Sequence, residues 1–208
     1  MTLKLYCFGE SGNAYKAALP LHLSGLDYEM VEVDFFGGET RSPEYRANIN
    51  EMGEAPVMID GDMRITQSGA IQQYISDKTG KFNGATEAER YDVLRWVLFD
   101  NHKLSSFAGM ARFLMNFLPE DKRPAEVISF TQGRLKAAYT TLNDRLEGRD
   151  WIVGDGLTNA DISCCAYLFY PEPFGFDRAG VKPASRVHPS NDNVSHHPHT
   201  IWKRLSSS

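Results

Sequence analysis

The sequence is poor in cysteine, with only Cys7, Cys164 and Cys165 among its 208 residues. Their spacing provides neither a CxxC redox pair nor the four ligands of a structural zinc site. Cys164 and Cys165 are adjacent on a predicted helix, so their side chains point to different faces and are poorly placed to bond each other. We therefore expect three buried thiols in a reducing compartment.

Long apolar runs and an excess of positive charge are also missing. No apolar segment approaches the roughly 18 residues that a membrane-spanning helix needs, and residues 1–4 lead into a predicted strand without a signal-like segment. The formal net charge is −5, whereas binding to nucleic acid phosphates requires a basic surface. These absences predict a cytoplasmic protein that binds neither a membrane nor nucleic acid.

The composition that remains is typical of a globular protein. Hydrophobic residues make up 42% of the chain, charged residues 24% and aromatic residues 12%, whereas disordered chains have far fewer apolar groups. A chain of 208 residues can form one large domain or two small ones with a sizeable core.

The beginning of the chain predicts a strand, a turn and a helix. Leu5–Phe8 is apolar and aromatic, Gly9–Gly12 supplies turn residues, and apolar residues at helical spacing follow. Ser11 and Asn13 then lie at a helix N-terminus, whose free N–H groups and partial positive charge attract an anion such as a carboxylate, a phosphate or a thiolate. Two roles for Ser11 are open: a helix N-cap, or a hydroxyl that donates to a bound anion.

The next segments complete a small α/β unit. Tyr28–Asp34 predicts a second strand, parallel to the first because a helix connects them within about thirty residues. Ser42 and Pro43 suit the N-cap and first turn of a short helix. Val57–Ile59 and Met63–Thr66 are joined by an Asp-Gly turn, which is a strong signal of a hairpin.

Two residues near this hairpin are relevant to ligand binding. Pro56 precedes the third strand, either as an edge-strand proline or as a cis proline that leaves neighbouring backbone groups facing outward. Ser68 is predicted to cap a third helix that ends near Thr79–Gly80. The N-terminus of this third helix is either a second anion site or a cap without a ligand.

From residue 85 onward the sequence predicts helices only. One long helix or a bent pair extends from Glu87 to about Leu118, and another helix extends from Ala125 to Leu146. Thr158 and Asp161 suit a capping box, with Asp in place of the usual Glu, so we assign Asp161 a structural role. Residues 181–208 show no helical period, and we expect residues 177–208 to form an irregular tail whose histidines hold no metal.

The order of these elements resembles that of the cytosolic glutathione transferases. The resemblance covers residues 3–176 and is carried by Leu5–Tyr6 before Ser11, by Asn50–Val57, by Gln67–Ser68 and by the Thr158–Asp161 box. It implies an α+β fold, with a thioredoxin-like βαβαββα domain over residues 1–80, a linker over 81–86 and an all-helical domain over 87–176. It also implies a homodimer.

The resemblance further implies that glutathione is a co-substrate and that no metal takes part. Ser11 matches the hydroxyl that activates the glutathione thiol in serine-type members. Asn13 lies where other members use an asparagine, so it is the alternative catalytic donor.

The resemblance also assigns the residues that hold the peptide. Ala55, Pro56 and Val57 would bind its cysteinyl part, mainly through the N–H and C=O of Val57. Gln67 and Ser68 would hold the γ-glutamyl carboxylate. Many members have Glu in place of Gln67, which leaves open the partner of the γ-glutamyl amine.

The function implied is transfer of the glutathione thiolate to a small hydrophobic electrophile, as in detoxification. A hydroxyl donor and a helix N-terminus could lower a thiol pKa from about 8.5 by one to two units. Phe8, Phe107 and Met110 are candidates for the electrophile pocket or, alternatively, for core packing. Two other functions are open: a glutathione-dependent disulfide reductase that acts through Asn13, and a non-catalytic module that binds a protein partner.

Overall fold

In the computed structural model, which describes residues 2–170 and 174–175, a four-stranded sheet organises the N-terminal part of the chain. The strands are β1 (Leu3–Cys7), β2 (Tyr28–Glu32), β3 (Val57–Asp60) and β4 (Met63–Thr66), in the order β2-β1-β3-β4. β1 and β2 are parallel, and β3 is antiparallel to both of its neighbours. The predicted parallel pair and the hairpin are confirmed.

Three helices accompany this sheet: α1 (Gly12–Ser24), α2 (Pro43–Asn48) and α3 (Ser68–Thr79). α1 packs on β1, α3 packs on β3 and β4, and the two helices contact each other. The core therefore lies between the sheet and these helices, and Leu5, Leu19 and Ile75 are among its fully buried residues. The element order is the predicted βαβαββα.

The helix ends follow the predicted caps with one exception. Ser42 caps α2 by accepting a hydrogen bond from the Tyr45 N–H at 3.0 Å, and Gly25 ends α1 in a left-handed conformation with φ of 75°. The prediction that Ser68 caps α3 is wrong by one residue. Gln67 occupies the cap position with φ of 69° and makes no side-chain cap bond, because the backbone turns there from β4 into the helix.

Helices make up the second part of the described chain: α4 (Glu87–Phe99), α5 (Ser106–Asn116), α6 (Ala125–Arg145) and α7 (Asn159–Cys165). A π-helical turn, Asp100–Ser105, connects α4 to α5, so the bent pair is the correct alternative for this segment. Asp100 is buried and accepts hydrogen bonds from the hydroxyls of Ser105 at 2.8 Å and Ser163 at 2.9 Å. These bonds tie the turn to α7.

The chain divides into two compact units between Phe82 and Asn83. All three cysteines are free and buried, as predicted. Within residues 2–170 and 174–175, no helix is both long and apolar enough to cross a bilayer. The expected irregular tail, residues 177–208, lies outside the described residues.

The capping box at the start of α7 is confirmed. The Asp161 carboxylate accepts hydrogen bonds at 2.9 Å from the backbone N–H of Ile152, the backbone N–H of Thr158 and the Thr158 hydroxyl. Burial raises the pKa of this carboxyl, and the hydrogen bonds oppose that shift. Asp161 therefore fixes the loop before α7 as well as the helix end.

Replacing Asp161 by Asn is expected to lower the free energy of unfolding by about 2 kcal/mol, because an amide group cannot accept from all three buried donors. Urea denaturation followed by circular dichroism measures this loss. Asp155→Asn, in the same loop but exposed, is the control and should change little. Equal stability of the two variants would contradict the structural role.

Candidate functional site

The N-terminus of α1 carries the first candidate donor, Ser11. Its backbone is extended, and its Oγ accepts a hydrogen bond from the Ala14 N–H at 3.1 Å, which confirms the N-cap. Among the described residues, no acceptor for the hydroxyl proton lies within hydrogen-bond distance. Because a hydroxyl can accept and donate at once, Ser11 can cap the helix and still donate to a ligand.

The second candidate donor, Asn13, lies in the first turn of α1 and contacts α3. The Ser68 hydroxyl donates to Asn13 Oδ1 at 3.3 Å, which leaves the Asn13 amide hydrogens available. Since Ser68 opens the 12-residue helix α3, this contact brings two helix N-termini together. Their free N–H groups and partial positive charges favour an anion in one region of the surface.

The peptide bond before Pro56 is cis, so the second of the two alternatives for this proline is correct. Val57 follows it in β3, opposite Tyr6 on one side and Thr66 on the other. A residue between two paired strands directs its N–H and C=O into the sheet ladder. Val57 is therefore a poor backbone partner for a ligand, contrary to the expectation. Ala55 precedes the strand, is partly exposed, and makes no backbone hydrogen bond to the described residues.

Two residues without a predicted role hold the loop that leads to Ala55. The Tyr45 hydroxyl and the Asn50 side-chain amide both donate to the Glu54 carbonyl oxygen, at 3.1 and 2.9 Å. Asn50 is fully buried. Burial raises the pKa of Tyr45 to about 12, so its hydroxyl remains a donor at neutral pH. A buried asparagine in a loop has no local sequence signal, and only the tertiary structure reveals its role.

Gln67 departs from the expected geometry. Its φ of 69° is one that residues other than glycine rarely adopt, and such strain is common at functional sites. The Gln67 Nε2 donates to Glu54 Oε2 at 2.7 Å and lies 3.5 Å from Met52 Sδ. The site therefore places a carboxylate beside Gln67 that the sequence analysis did not identify.

The three candidate pocket residues lie in different surroundings. Phe8 stacks on Phe35, with ring centroids 4.4 Å apart, and meets the edge of Phe36. Phe107, in α5, contacts Phe130 edge to face within the second unit. Met110, also in α5, is about half exposed. Phe8, three positions before Ser11 in the sequence, is thus part of an aromatic cluster that the sequence analysis recognised only in part.

The chain's own thiol near this region is unsuited to nucleophilic chemistry. Cys7 is buried at the end of β1, and burial, with a smaller contribution from the charge of Glu32, raises its pKa to about 12. The thiolate form is therefore negligible at neutral pH. In the described part of the chain, no group of three or more His, Cys, Asp or Glu residues is arranged to hold a metal ion.

Comparisons with known proteins identify the family of this chain. Residues 1–77 match the family model described as the glutathione S-transferase N-terminal domain. Glutathione S-transferase F10 of Arabidopsis thaliana is 30% identical over 200 residues, which cover 92% of this chain and 86% of that protein. The disulfide-bond oxidoreductase YfcG of Escherichia coli is 29% identical over 168 residues, which cover 77% of each protein.

A solved structure of a glutathione S-transferase has the same fold. The crystal structure of a glutathione S-transferase from Pseudomonas fluorescens matches with a TM-score of 0.81 at 30% identity. The match covers 89% of this chain and 92% of that chain.

The native chain is expected to resist iodoacetamide near pH 8, because all three thiols are buried. In denaturant all three should be alkylated, as counted by mass spectrometry. A free low-molecular-weight thiol in the same buffer is the positive control. Rapid labelling of Cys7 in the native chain would contradict its burial and its raised pKa.

Proposed function

Because the chain belongs to the glutathione S-transferase family, with its thioredoxin-like domain followed by helices, we propose that it transfers the glutathione thiolate to a small hydrophobic electrophile. The observation that carries this proposal is the meeting of the N-termini of α1 and α3 at the Ser68–Asn13 hydrogen bond, beside the Ser11 cap. This region can bind two anions of one ligand, a thiolate and a carboxylate.

Activation of the thiol is the first step. A free thiol with a pKa of about 8.5 is mostly protonated at neutral pH, whereas the thiolate is the nucleophile. At the N-terminus of α1 the Ser11 hydroxyl would donate to the sulfur, and the helix dipole would favour its negative charge. Lowering the pKa by one to two units corresponds to about 1.4 to 2.7 kcal/mol of preference for the thiolate.

The peptide portion would bind along the loop before β3. Ala55 offers an N–H and a C=O that no described residue uses, so we assign it the cysteinyl backbone in place of Val57. Pro56 directly follows Ala55 and so lies next to these two backbone groups. Ser68 and the free N–H groups of α3 would hold the γ-glutamyl carboxylate, because a helix N-terminus favours an anion.

In the transfer itself, the thiolate attacks an electrophilic carbon and forms a carbon–sulfur bond, while the leaving group departs with its electron pair. The cluster of Phe8, Phe35 and Phe36 favours the binding of a hydrophobic electrophile. Its Phe36 ring is about half exposed beside the other two rings and can contact such a ligand. Phe107 and Met110, which belong to the second unit, stay candidates from the sequence alone.

A second candidate function is glutathione-dependent reduction of a small disulfide through Asn13. It is favoured by the free amide hydrogens of Asn13 at the start of α1 and by the similarity to a protein named disulfide-bond oxidoreductase. In this reaction two glutathione thiols are oxidised to one disulfide, and the substrate disulfide is reduced to two thiols.

Substituting the two candidate donors, Ser11 and Asn13, one at a time distinguishes the transferase from the disulfide reductase. We expect wild-type protein to lower the pKa of bound glutathione by about one to two units, and Ser11→Ala to lose most of this shift because the donor is gone. Asn13→Ala should keep the shift. Titration of the ultraviolet absorbance of the thiolate, with glutathione bound, measures all three values.

Two controls accompany the titration. Ser11→Thr keeps the hydroxyl and should retain the shift, and Thr86→Ala removes the cap of α4 without touching the site. Loss of the shift only in Asn13→Ala would favour the disulfide reductase. Binding without a shift would exclude the catalytic proposal, and no binding at millimolar glutathione would favour a protein-binding module.

We also propose that the chain forms a homodimer through α4. Tyr91, Leu94 and Leu98 occur at helical spacing on one face of this helix and are 66%, 48% and 58% exposed. Such an apolar stripe is costly in water, and a second copy of the chain would bury it.

Replacing Leu98 by Glu should therefore shift the protein from dimer to monomer in sedimentation velocity experiments, because a buried charge opposes the interface. Met63→Glu introduces the same charge at an exposed apolar residue of β4 and serves as the control. A monomeric wild-type protein, or a Leu98→Glu variant that remains dimeric, would contradict the proposed interface.

A further inference from the structure

Three methionine side chains in the described part of the chain are about half exposed: Met52, Met63 and Met110. An oxidant such as hydrogen peroxide converts an exposed thioether to a sulfoxide, which is polar. The three cysteines are buried, and burial raises the pKa of Cys7 to about 12, so the folded chain offers peroxide little reactive thiolate. The exposed methionines are therefore more accessible to an oxidant than the cysteines.

The sulfur of Met52 contacts a residue of the candidate site. Its Sδ lies 3.5 Å from Nε2 of Gln67, and the same nitrogen donates to Glu54 Oε2 at 2.7 Å. A side-chain amide nitrogen carries two hydrogens, and a thioether sulfur is a weak acceptor. The Glu54 carboxylate therefore binds one hydrogen of Gln67 firmly, whereas the Met52 sulfur binds the other only weakly.

The fold fixes the backbone on both sides of this sulfur. The Met52 N–H donates to Oδ1 of the fully buried Asn50 at 3.1 Å, and Arg46 donates to the carbonyl oxygen of Glu51 at 3.2 Å. Gly53 follows with φ of 68°, and a Cβ atom there would lie 2.7 Å from Nη2 of Arg46. The loop that carries Met52 is thus held by its own packing, and the sulfur stays beside the amide.

Oxidation would change the acceptor that faces the second amide hydrogen. A sulfoxide oxygen is a stronger hydrogen-bond acceptor than a thioether sulfur. Gln67 directly precedes Ser68, which opens α3 and is proposed to hold the γ-glutamyl carboxylate. In the reduced protein the Gln67 amide can exchange the weak contact with sulfur for a bond to that carboxylate. In the oxidised protein the sulfoxide of Met52 competes for the same hydrogen.

We propose that Met52 is a site of reversible oxidation that weakens glutathione binding. This inference rests on the proposed function, since it adds a regulation of the same ligand site. In the forward step a hydroperoxide transfers one oxygen atom to the Met52 sulfur, so the thioether is oxidised and the hydroperoxide is reduced to water or an alcohol. In the reverse step a methionine sulfoxide reductase removes the oxygen as water, while two thiols are oxidised to one disulfide.

Peroxide treatment of the folded protein tests this inference. Hydrogen peroxide should add one oxygen atom to Met52, as located by peptide mass mapping. The oxidised protein should then bind glutathione about tenfold more weakly in isothermal titration calorimetry, because a hydrogen bond to a charged group is lost. Methionine sulfoxide reductase with dithiothreitol should restore the affinity. Met52→Leu has no sulfur and should keep the affinity of the untreated wild type after peroxide treatment.

A matched variant and a second ligand control this measurement. Met63→Leu removes the comparably exposed methionine of β4 and should lose affinity after peroxide treatment as the wild type does. γ-Aminobutyryl-cysteinylglycine keeps the amino group and the thiol of glutathione but lacks the γ-glutamyl carboxylate. Its affinity should therefore change by about twofold or less when Met52 is oxidised.

Several results would overturn the inference. If Met63 is oxidised while Met52 stays reduced, Met52 is not an accessible oxidation site. If oxidised Met52 leaves the affinity unchanged, or if Met52→Leu loses affinity to the same extent, this residue does not regulate binding. Equal weakening of both ligands would contradict competition for the Gln67 hydrogen. If the untreated wild type does not bind glutathione, the proposed function itself fails, and the inference fails with it.

Discussion

The hydrogen bond from the Ser68 hydroxyl to Asn13 Oδ1 is the interaction on which the candidate site depends. It joins residues 55 positions apart and brings the first turns of α1 and α3 together. The sheet makes this possible, because α1 packs on β1 while α3 packs on the neighbouring β3 and on β4. Two helix N-termini in one place bring together the partial positive charges of both helices. Such a region favours a ligand with more than one anionic group.

The distribution of thiols in the chain fits this arrangement. All three cysteines are buried, and Cys7, at the end of β1, has a pKa raised to about 12. The helix N-termini therefore have no thiolate of their own to stabilise. A thiol that arrives with the ligand would meet the Ser11 hydroxyl and the dipole of α1, which both favour its ionised form.

The proposed binding of the rest of the ligand depends on backbone groups and on the loop before β3, which two side chains hold in place. Tyr45 and Asn50 fix the carbonyl of Glu54, and the next residue, Ala55, keeps its own N–H and C=O unpaired among the described residues. On the other side of this loop the Glu54 carboxylate orients the Gln67 amide. The side chains that fix this loop, those of Tyr45, Asn50 and Glu54, are therefore not the ones that a search for catalytic groups would select.

The sequence by itself determined features that depend on residues a few positions apart. The Ser11 and Ser42 caps, the hairpin turn and the Thr158–Asp161 box follow from local backbone preferences, so the order of elements and the donors at α1 could be predicted. Only the tertiary structure decided the pairing of Val57 on both sides, the shift of the α3 start to Ser68, and the Glu54–Gln67 and Asn13–Ser68 contacts. These contacts join residues that lie far apart in the chain, and packing of the helices on the sheet determines which of them meet.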